Sequence, residues 1–221
     1  MCIRDSYGIE VALQLKEKFD AEVTVISMGS LGTEKGIQQA LQMGPDGALV
    51  LEDDSLSGSN SLMTANVLSE LSKKVEADIT IFGTESTDGY SGVIPQQVSR
   101  MLGVPCISYI KAVDIDESVT LTRQTSTGSE KVVMPANCVL SVTAGGVEPR
   151  YPNFKDIMAA KSKPIERISI ADINYDAQQN LEFVDIKDVS TTKQGEKIID
   201  EGEGFQIIID KLKELKAIWK H

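Results

Sequence analysis

The sequence predicts an α/β fold: a doubly wound, mostly parallel sheet with helices on both faces, an inserted β-hairpin and a C-terminal arm ending in a helix. Three observations predict it. Short β-branched runs alternate with helical periods in the first half of the chain. Strand-like runs joined by short turns follow in the second half. A polar, irregular stretch then leads to a final segment with an apolar stripe at helical spacing.

The first half of the chain alternates between helical and extended periods. The helical periods cover Tyr7–Phe19, Leu62–Val75, Gly92–Leu102 and a segment that Thr33 caps and that runs to Met43. The extended runs are Glu22–Ser27, Gly47–Leu51 and Ala77–Phe82. Because strands and helices of this length alternate, we expect a parallel sheet that is covered on both faces.

The second half is richer in strands. The strand-like runs are Cys106–Val113, Val119–Gln124, Glu130–Met134 and Asn137–Val142, and Thr127-Gly128 is the expected hairpin turn. We interpret them as core strands with a hairpin inserted between them. A helix is expected over Phe154–Lys161, and from Lys163 onward the regular period is lost.

The predicted domain organisation has two parts. Residues 1–170 are expected to form a nucleotide-binding α/β domain, and residues 171–221 an arm. The arm ends in a helix over Phe205–Trp219, whose apolar stripe is Ile208, Ile209, Leu212 and Leu215. An irregular arm with such a stripe is expected to lie on another surface, either its own or a partner's.

The start of the chain departs from this design. A doubly wound sheet normally begins with a central strand, whereas this chain opens with a helix. We therefore expect the sequence to be truncated at its N-terminus, and Met1 to Arg4 not to be native sequence.

Composition excludes several classes of function. The net charge of −11 makes binding to a phosphate backbone unfavourable, and no apolar run approaches the roughly 20 residues that cross a bilayer. The three cysteines show no CxxC spacing, so a disulfide scaffold or zinc site is not indicated. His221 is the only histidine, which excludes an internal histidine base. With no signal peptide visible, a reducing, cytoplasmic setting is expected.

The most informative loop follows the third predicted strand and leads into a helix. Its residues are Gly83, Thr84, Glu85, Ser86, Thr87, Asp88, Gly89, Tyr90 and Ser91. Glycines admit close backbone approach, and amides and hydroxyls before a helix favour a phosphate. A strand–helix connection with Ser91 as N-cap explains the same pattern equally well. Met28, which ends an earlier strand, is a candidate second wall of this crevice, although an ordinary turn is the favoured reading of that segment alone.

Other polar segments are less specific. Asp53-Asp54 follows a strand, but exposed paired acids are more often solvated than metal-bound. Glu148, Pro149, Arg150 and Tyr151 form a charged, aromatic loop of the kind that contacts partners. The alternative is a structural turn in which Arg150 pairs with a local carboxylate. No nucleophile–base pair is indicated, so no catalytic residue is assigned.

The order of several motifs resembles a known family. The motifs are Ala12–Glu17, Val25–Gly29, Ala40–Gly44, Gly83–Pro95, Val132–Ala136, Val147–Pro152 and Asp156–Lys161. Together they resemble the small (beta) subunit of an electron transfer flavoprotein, over most of residues 7 to 170. The segment with E-P-R-Y-P followed by I-M-A-A-K carries the most specific part of the resemblance.

The resemblance implies a cofactor-binding heterodimer. A large (alpha) subunit would hold most of the FAD contacts, and this chain would bind AMP in its crevice as a structural ligand. A second FAD replaces AMP in a bifurcating subset. The matching positions are Met28 and Gly83 through Ser91. The family's first strand and its Asn-Pro pair have no counterpart here.

The resemblance also implies docking of redox partners. The segment Glu148–Lys161, with Phe154 where the family commonly has a leucine, matches the element that docks flavin-dependent dehydrogenases, such as acyl-CoA dehydrogenases. Its candidate contacts are Glu148, Pro149, Arg150, Tyr151, Phe154, Ile157, Met158 and Lys161. The arm would embrace the alpha subunit, and electrons would pass to an acceptor oxidoreductase. A stand-alone adenine-nucleotide sensor is the alternative, and a nucleotide hydrolase a more remote one.

Overall fold

A computed structural model describes residues 3–29, 34–87, 89–175, 184–185, 187, 199–200 and 202–215. The chain divides into two compact units, Met1–Glu182 and Phe183–His221. The helices are α1 (Ile3–Phe19), α2 (Glu34–Gln42), α3 (Ser61–Lys74), α4 (Ile94–Leu102), α5 (Phe154–Ala160) and α6 (Gly204–Glu214). The strands are β1 (Thr24–Gly29), β2 (Gly47–Glu52), β3 (Ile79–Gly83), β4 (Cys106–Ile115), β5 (Val119–Thr125), β6 (Gly128–Val133), β7 (Cys138–Val142) and β8 (Ile165–Ile168).

A three-stranded parallel sheet in the order β1-β2-β8 forms one part of the first unit. Its central strand β2 is buried along Gly47–Leu51, as expected for a strand covered on both faces. Leu49 and Leu51 pack with α3 on one face, whereas Ala48 and Val50 pack with α2 and α5 on the other. Alternate side chains of β2 therefore pack against helices on opposite faces of the sheet.

A five-stranded sheet in the order β3-β7-β4-β5-β6 forms the other part. Strands β3, β7 and β4 are parallel, and β5 and β6 add an antiparallel hairpin. On the buried strand β7, Leu140 packs with Val11 of α1, whereas its neighbour Val139 packs with Val98 of α4. Adjacent residues in a strand point to opposite faces, so α1 and α4 cover opposite sides of this sheet.

The predicted α/β class, with mostly parallel strands, helices on both faces and an inserted hairpin, is confirmed. One difference is that the strands form two sheets. Among the described residues, β1 and β3 are edge strands with no strand hydrogen-bonded between them. The other is β8, Ile165–Ile168, where no regular period was expected beyond Lys163. This strand alternates too briefly to be recognised, and its parallel pairing with β2 decides its conformation.

The second unit contains α6, which begins at Gly204, next to the predicted start at Phe205. The carboxylate of Asp200 accepts hydrogen bonds from the amides of Gly202 and Gly204, both at 2.8 Å, and so satisfies the first amide of the helix, whose N-cap is Glu203. Phe205, Ile208 and the terminal Leu215 are exposed. Residues 216–219 of the predicted helix lie outside the described residues, and its contact with a partner stays a prediction.

Among the described residues, every helix is too short or too polar to span a lipid bilayer.

Candidate functional site

Gly83 and Thr84 lie where β3 ends beside the end of β7. Gly83 pairs with Val142, and the next amide, that of Thr84, donates to the Val142 carbonyl at 3.1 Å. The Thr84 hydroxyl donates to the same carbonyl at 3.1 Å and lies 3.4 Å from the Thr143 hydroxyl. The carboxyl ends of β3 and β7 are thus joined where an open parallel sheet binds its ligands.

Beyond Thr84 the chain makes a tight turn. The Tyr90 amide donates to the Ser86 carbonyl at 3.2 Å, and the Gly89 amide donates to the Ser86 hydroxyl at 3.3 Å. Tyr90 has a φ of +47° and an exposed side chain. A bulky residue in this region is uncommon and marks a turn fixed by its surroundings. Thr87 and Ser91 are also exposed. Asp88 lies outside the described residues, so its predicted role is untested.

Helix α4 starts later than predicted. The sequence prediction placed the helix at Gly92 with Ser91 as a possible N-cap, but the N-cap is Val93, which makes no side-chain capping hydrogen bond. Gly92 instead has a φ of +63° and turns the chain before the helix. Pro95 follows in the first turn, where it needs no donor. Because no side chain caps this helix, its N-terminus retains the electrostatic preference for an anion.

Met28 lies one residue before the end of β1, opposite Leu51 of β2. Its side chain packs against the cluster between β2 and α3. The structure places Met28 at the carboxyl end of the three-stranded sheet and Gly83 at the carboxyl end of a strand in the other sheet. Their predicted meeting around one ligand stays a prediction.

Asp53 after β2 has a structural role. Its carboxylate accepts hydrogen bonds from the amide and hydroxyl of Ser55, at 3.0 and 2.7 Å, and from the Ile170 amide at 3.2 Å. These bonds favour the charged form and hold the pKa of Asp53 below its ordinary value. Among the described residues, no group of three or more His, Cys, Asp or Glu side chains is placed to hold a metal ion.

A cleft of about 150 Å³ lies at the opposite end of the five-stranded sheet. It is lined at the starts of β3 and β7 by Thr80 and Cys138, and at the ends of α3 and α4 by Lys73 and Leu102. Burial raises the pKa of the Cys138 thiol to about 11, which keeps it protonated and unreactive. The Cys138 thiol in this cleft is therefore not a candidate reactive group, and the cleft lies at the other end of the sheet from the loop after Gly83.

Arg150 joins the loop before α5 to helix α1. Its Nε and Nη2 atoms donate to the Glu10 carboxylate at 2.8 and 3.0 Å, and its Nη1 donates to Glu17 at 2.5 Å. Burial raises the pKa of Glu10, but hydrogen bonds from Arg150 and Gln14 outweigh it and leave that pKa below its ordinary value. The hydrogen bonds of Arg150 to Glu10 and Glu17 raise the pKa of the guanidinium. The guanidinium therefore pairs with carboxylates of this chain, as in the structural alternative, but these lie on α1 and not in the local sequence that the alternative named.

The partners of Arg150 were not foreseen. Glu10, Gln14 and Glu17 recur four and three residues apart, which places them on one side of α1. Glu10 is only 4% exposed. A nearly buried carboxylate needs a cation, and the spacing of these polar residues was the available signal.

The predicted docking residues on and before α5 differ in exposure. Tyr151 is 93% exposed, Phe154 79% and Met158 49%. Glu148 and Lys161 are exposed, whereas Pro149 and Ile157 are half-buried. Asn153 caps α5 by accepting a hydrogen bond from the Asp156 amide at 3.0 Å, and Ala160 is buried against α2. Large exposed aromatic side chains of this kind are typical of interaction sites.

Gly146 lies against the backbone of β4 in the loop between β7 and α5. A Cβ at this position would lie 2.5 Å from Cα of Lys111. We expect Gly146→Ala to lower the free energy of unfolding by about 2 kcal/mol, because backbone must move to admit the methyl group. Urea unfolding measures this loss. Gly89→Ala is the matched control, since its Cβ would meet only the Ser86 hydroxyl, at 3.4 Å. Equal losses in the two variants would contradict the close contact at Gly146.

Comparison with known proteins identifies the family. Residues 5–173 match the electron transfer flavoprotein domain. The chain is 36% identical to electron transfer flavoprotein subunit beta of Mycobacterium leprae (strain TN), over 96% of this chain and 84% of that protein. It is 32% identical to the protein of that name from Bacillus subtilis (strain 168), over 79% and 68% of the two chains. The corresponding Clostridium acetobutylicum protein is 30% identical, over 95% and 84%. The family predicted from the motifs is confirmed, and the chain belongs to the electron transfer flavoprotein family.

Proposed function

We propose that this chain is the beta subunit of a heterodimeric electron transfer flavoprotein. It would help an alpha subunit hold FAD and carry electrons from flavin-dependent dehydrogenases to an acceptor oxidoreductase in the cytoplasm, with no catalytic residues of its own. The single observation that carries the proposal is the family match over residues 5–173, which spans both sheets and the segment from Glu148 to Lys161.

We further propose AMP as the ligand of the loop after Gly83. The donor set fits a phosphate, because the hydroxyls of Ser86, Thr87 and Ser91 precede a helix whose N-terminus has no side-chain cap. The Ser86 hydroxyl accepts from Gly89 and so keeps its own proton for donation. Bound AMP would supply structure and no redox chemistry. The residues would hold it by neutral hydrogen bonds and helix polarity, which needs no basic side chain in the loop.

The nucleotide content of the purified heterodimer tests this assignment. The chain would be co-expressed with an alpha subunit, and the complex precipitated with acid to release its nucleotides for chromatography. We expect about one AMP and one FAD per complex. Two FAD and no AMP would overturn AMP as the ligand while leaving the subunit assignment intact. Tight AMP binding by an isolated, stable chain that ignores the alpha subunit would favour the sensor function instead.

Electron transfer to the complex tests the carrier function itself. A catalytic amount of a flavin-dependent dehydrogenase and its substrate would be added to the complex without oxygen, and the flavin absorbance followed. The flavin of the complex is expected to be reduced by many turnovers of the dehydrogenase. A flavin that stays oxidised with every dehydrogenase tested from the source organism would contradict the carrier function.

A further inference from the structure

The segment between β7 and α5 is held at three points. Gly146 lies against the main chain of Lys111, Arg150 binds α1, and Asn153 caps α5. Only Tyr151 and Pro152 lie between the second and third of these points. The exposed side chains of Tyr151 and Phe154 are therefore attached to backbone that has little freedom to move.

The contact at Arg150 fixes the main chain as well as the side chain. The Arg150 amide donates to Oε2 of Glu10 at 3.1 Å, and its Nε donates to the same oxygen at 2.8 Å. Nη2 donates to Oε1 at 3.0 Å, so one nearly buried carboxylate accepts three hydrogen bonds from this residue. A planar guanidinium makes such a paired contact, which the single ammonium group of a lysine does not reproduce.

The nitrogens of Arg150 are committed to this chain. Nε and Nη2 bind Glu10, and Nη1 binds Glu17, whose side chain is 60% exposed. Turning the guanidinium toward a partner's carboxylate would break these bonds and leave the Glu10 carboxylate buried without its cation, which is costly. Arg150 is therefore better suited to shape the docking surface than to contact a partner.

We propose that Arg150 is a positioning residue, which with Glu10 holds Tyr151 and Phe154 preorganised for a redox partner protein. This inference rests on the proposed function. An aromatic anchor that is already ordered in the free protein loses less conformational freedom on binding, and so binds more tightly. The recognised chemistry is an apolar pocket on the partner that admits two aromatic rings.

Hydrogen exchange of the complex tests the positioning directly. We expect Arg150→Lys and Glu10→Gln each to speed amide exchange in residues 149–154 about tenfold, because the loop then opens without the paired contact. Glu10→Gln keeps the size of the side chain and guards against a variant that does not fold. Arg167→Lys is the matched control, because Nη1 of Arg167 lies 2.7 Å from Oε2 of Glu52, another mostly buried glutamate. This control variant is expected to leave amide exchange in residues 149–154 unchanged.

Steady-state kinetics with the dehydrogenase give a second readout. Arg150→Lys is expected to raise the KM for the carrier about fivefold and to leave kcat and FAD content unchanged, since only the binding surface is loosened. Combining Arg150→Lys with the double variant Tyr151→Ala, Phe154→Ala should add little to that double variant alone, because the arginine acts through those two rings.

The outcomes separate the two hypotheses. Unchanged exchange in residues 149–154 would overturn the positioning role, and so would fully additive effects of Arg150→Lys and the double variant Tyr151→Ala, Phe154→Ala. A wild-type complex that no dehydrogenase reduces would overturn the proposed function and, with it, the partner assigned to this surface, whatever the exchange rates show about the loop.

Discussion

Replacing Arg150 by alanine is expected to lower the free energy of unfolding by about 3 kcal/mol at pH 7. The variant leaves the Glu10 carboxylate, 4% exposed, without its cation, and only the Gln14 side chain and the backbone amide of residue 150 remain of its observed hydrogen-bond donors. The value is at the low end of the range for breaking a buried pair, because the Arg150 side chain is 35% exposed and water can partly replace it. Urea unfolding of the wild type and the variant measures the loss.

The same pair predicts a dependence on pH. The pKa of Glu10 in the folded protein is below its ordinary value of 4.5, so the stability that the pair contributes is complete above that value. It is lost as the pH falls through the folded pKa. The difference between wild type and Arg150→Ala should therefore shrink below about pH 4.

A solvent-exposed pair supplies the control. Lys73→Ala removes an ion pair with Glu70 on the surface of α3, where the expected loss is a few tenths of a kcal/mol at most. If Arg150→Ala costs no more than Lys73→Ala at pH 7, the pair with Glu10 is not the stabilising contact described above.

The double variant Tyr151→Ala with Phe154→Ala is expected to lower kcat/KM for electron transfer from a dehydrogenase by about 100-fold. Two central aromatic anchors are together worth roughly 3 kcal/mol of binding at an interface, and 1.36 kcal/mol corresponds to a factor of ten. Because the two side chains are 93% and 79% exposed, the midpoint of thermal unfolding should hardly change.

Val133→Ala is the control for this variant. Val133 is 64% exposed on the edge strand β6, outside the predicted docking segment. It should leave both kcat/KM and stability unchanged. A double variant that transfers electrons at the wild-type rate would show that the dehydrogenase docks elsewhere.

The sequence predicted those parts of the fold whose signal is local. Runs such as Gly47–Leu51 and Cys138–Val142 are short, apolar and bounded by turn residues, and both are strands within one residue of the prediction. The hairpin was also predicted, although its strands pair as far as Thr125 and Gly128, so that Ser126 and Thr127 form the turn. Such turns are set by residues next to one another in the chain.

Long-range contacts were less visible. Strand β8 forms because β2 offers it a parallel partner more than a hundred residues away, and nothing in Ile165–Ile168 announces that pairing. Glu10 carries no local sign of its role for the same reason. Its partner Arg150 lies 140 positions later, so neither sequence neighbourhood shows the ion pair. Helix α4 starts two residues later than predicted, because Gly92 turns the chain and Val93, not Ser91, is the N-cap.

In the candidate site, too, local features were predictable from the sequence and long-range contacts were not. The position of Gly83 at the end of a parallel strand follows from strand–helix alternation, and the structure has it there. The sequence left two roles open for Arg150, contact with a partner or a structural ion pair. Only the folded chain brings the Glu10 carboxylate next to Arg150 and so decides between them. The exposure of Tyr151 and Phe154 likewise depends on the packing of α5 against α2, because this packing determines which face of α5 is exposed to solvent.

Native mass spectrometry of this chain co-expressed with an electron transfer flavoprotein alpha subunit tests the central claim most directly. We predict one species whose mass equals one copy of each subunit plus FAD and AMP, and which loses the FAD when the subunits are separated. A 24.0 kDa chain that remains alone in the presence of the alpha subunit, with no flavin in either fraction, would contradict the account.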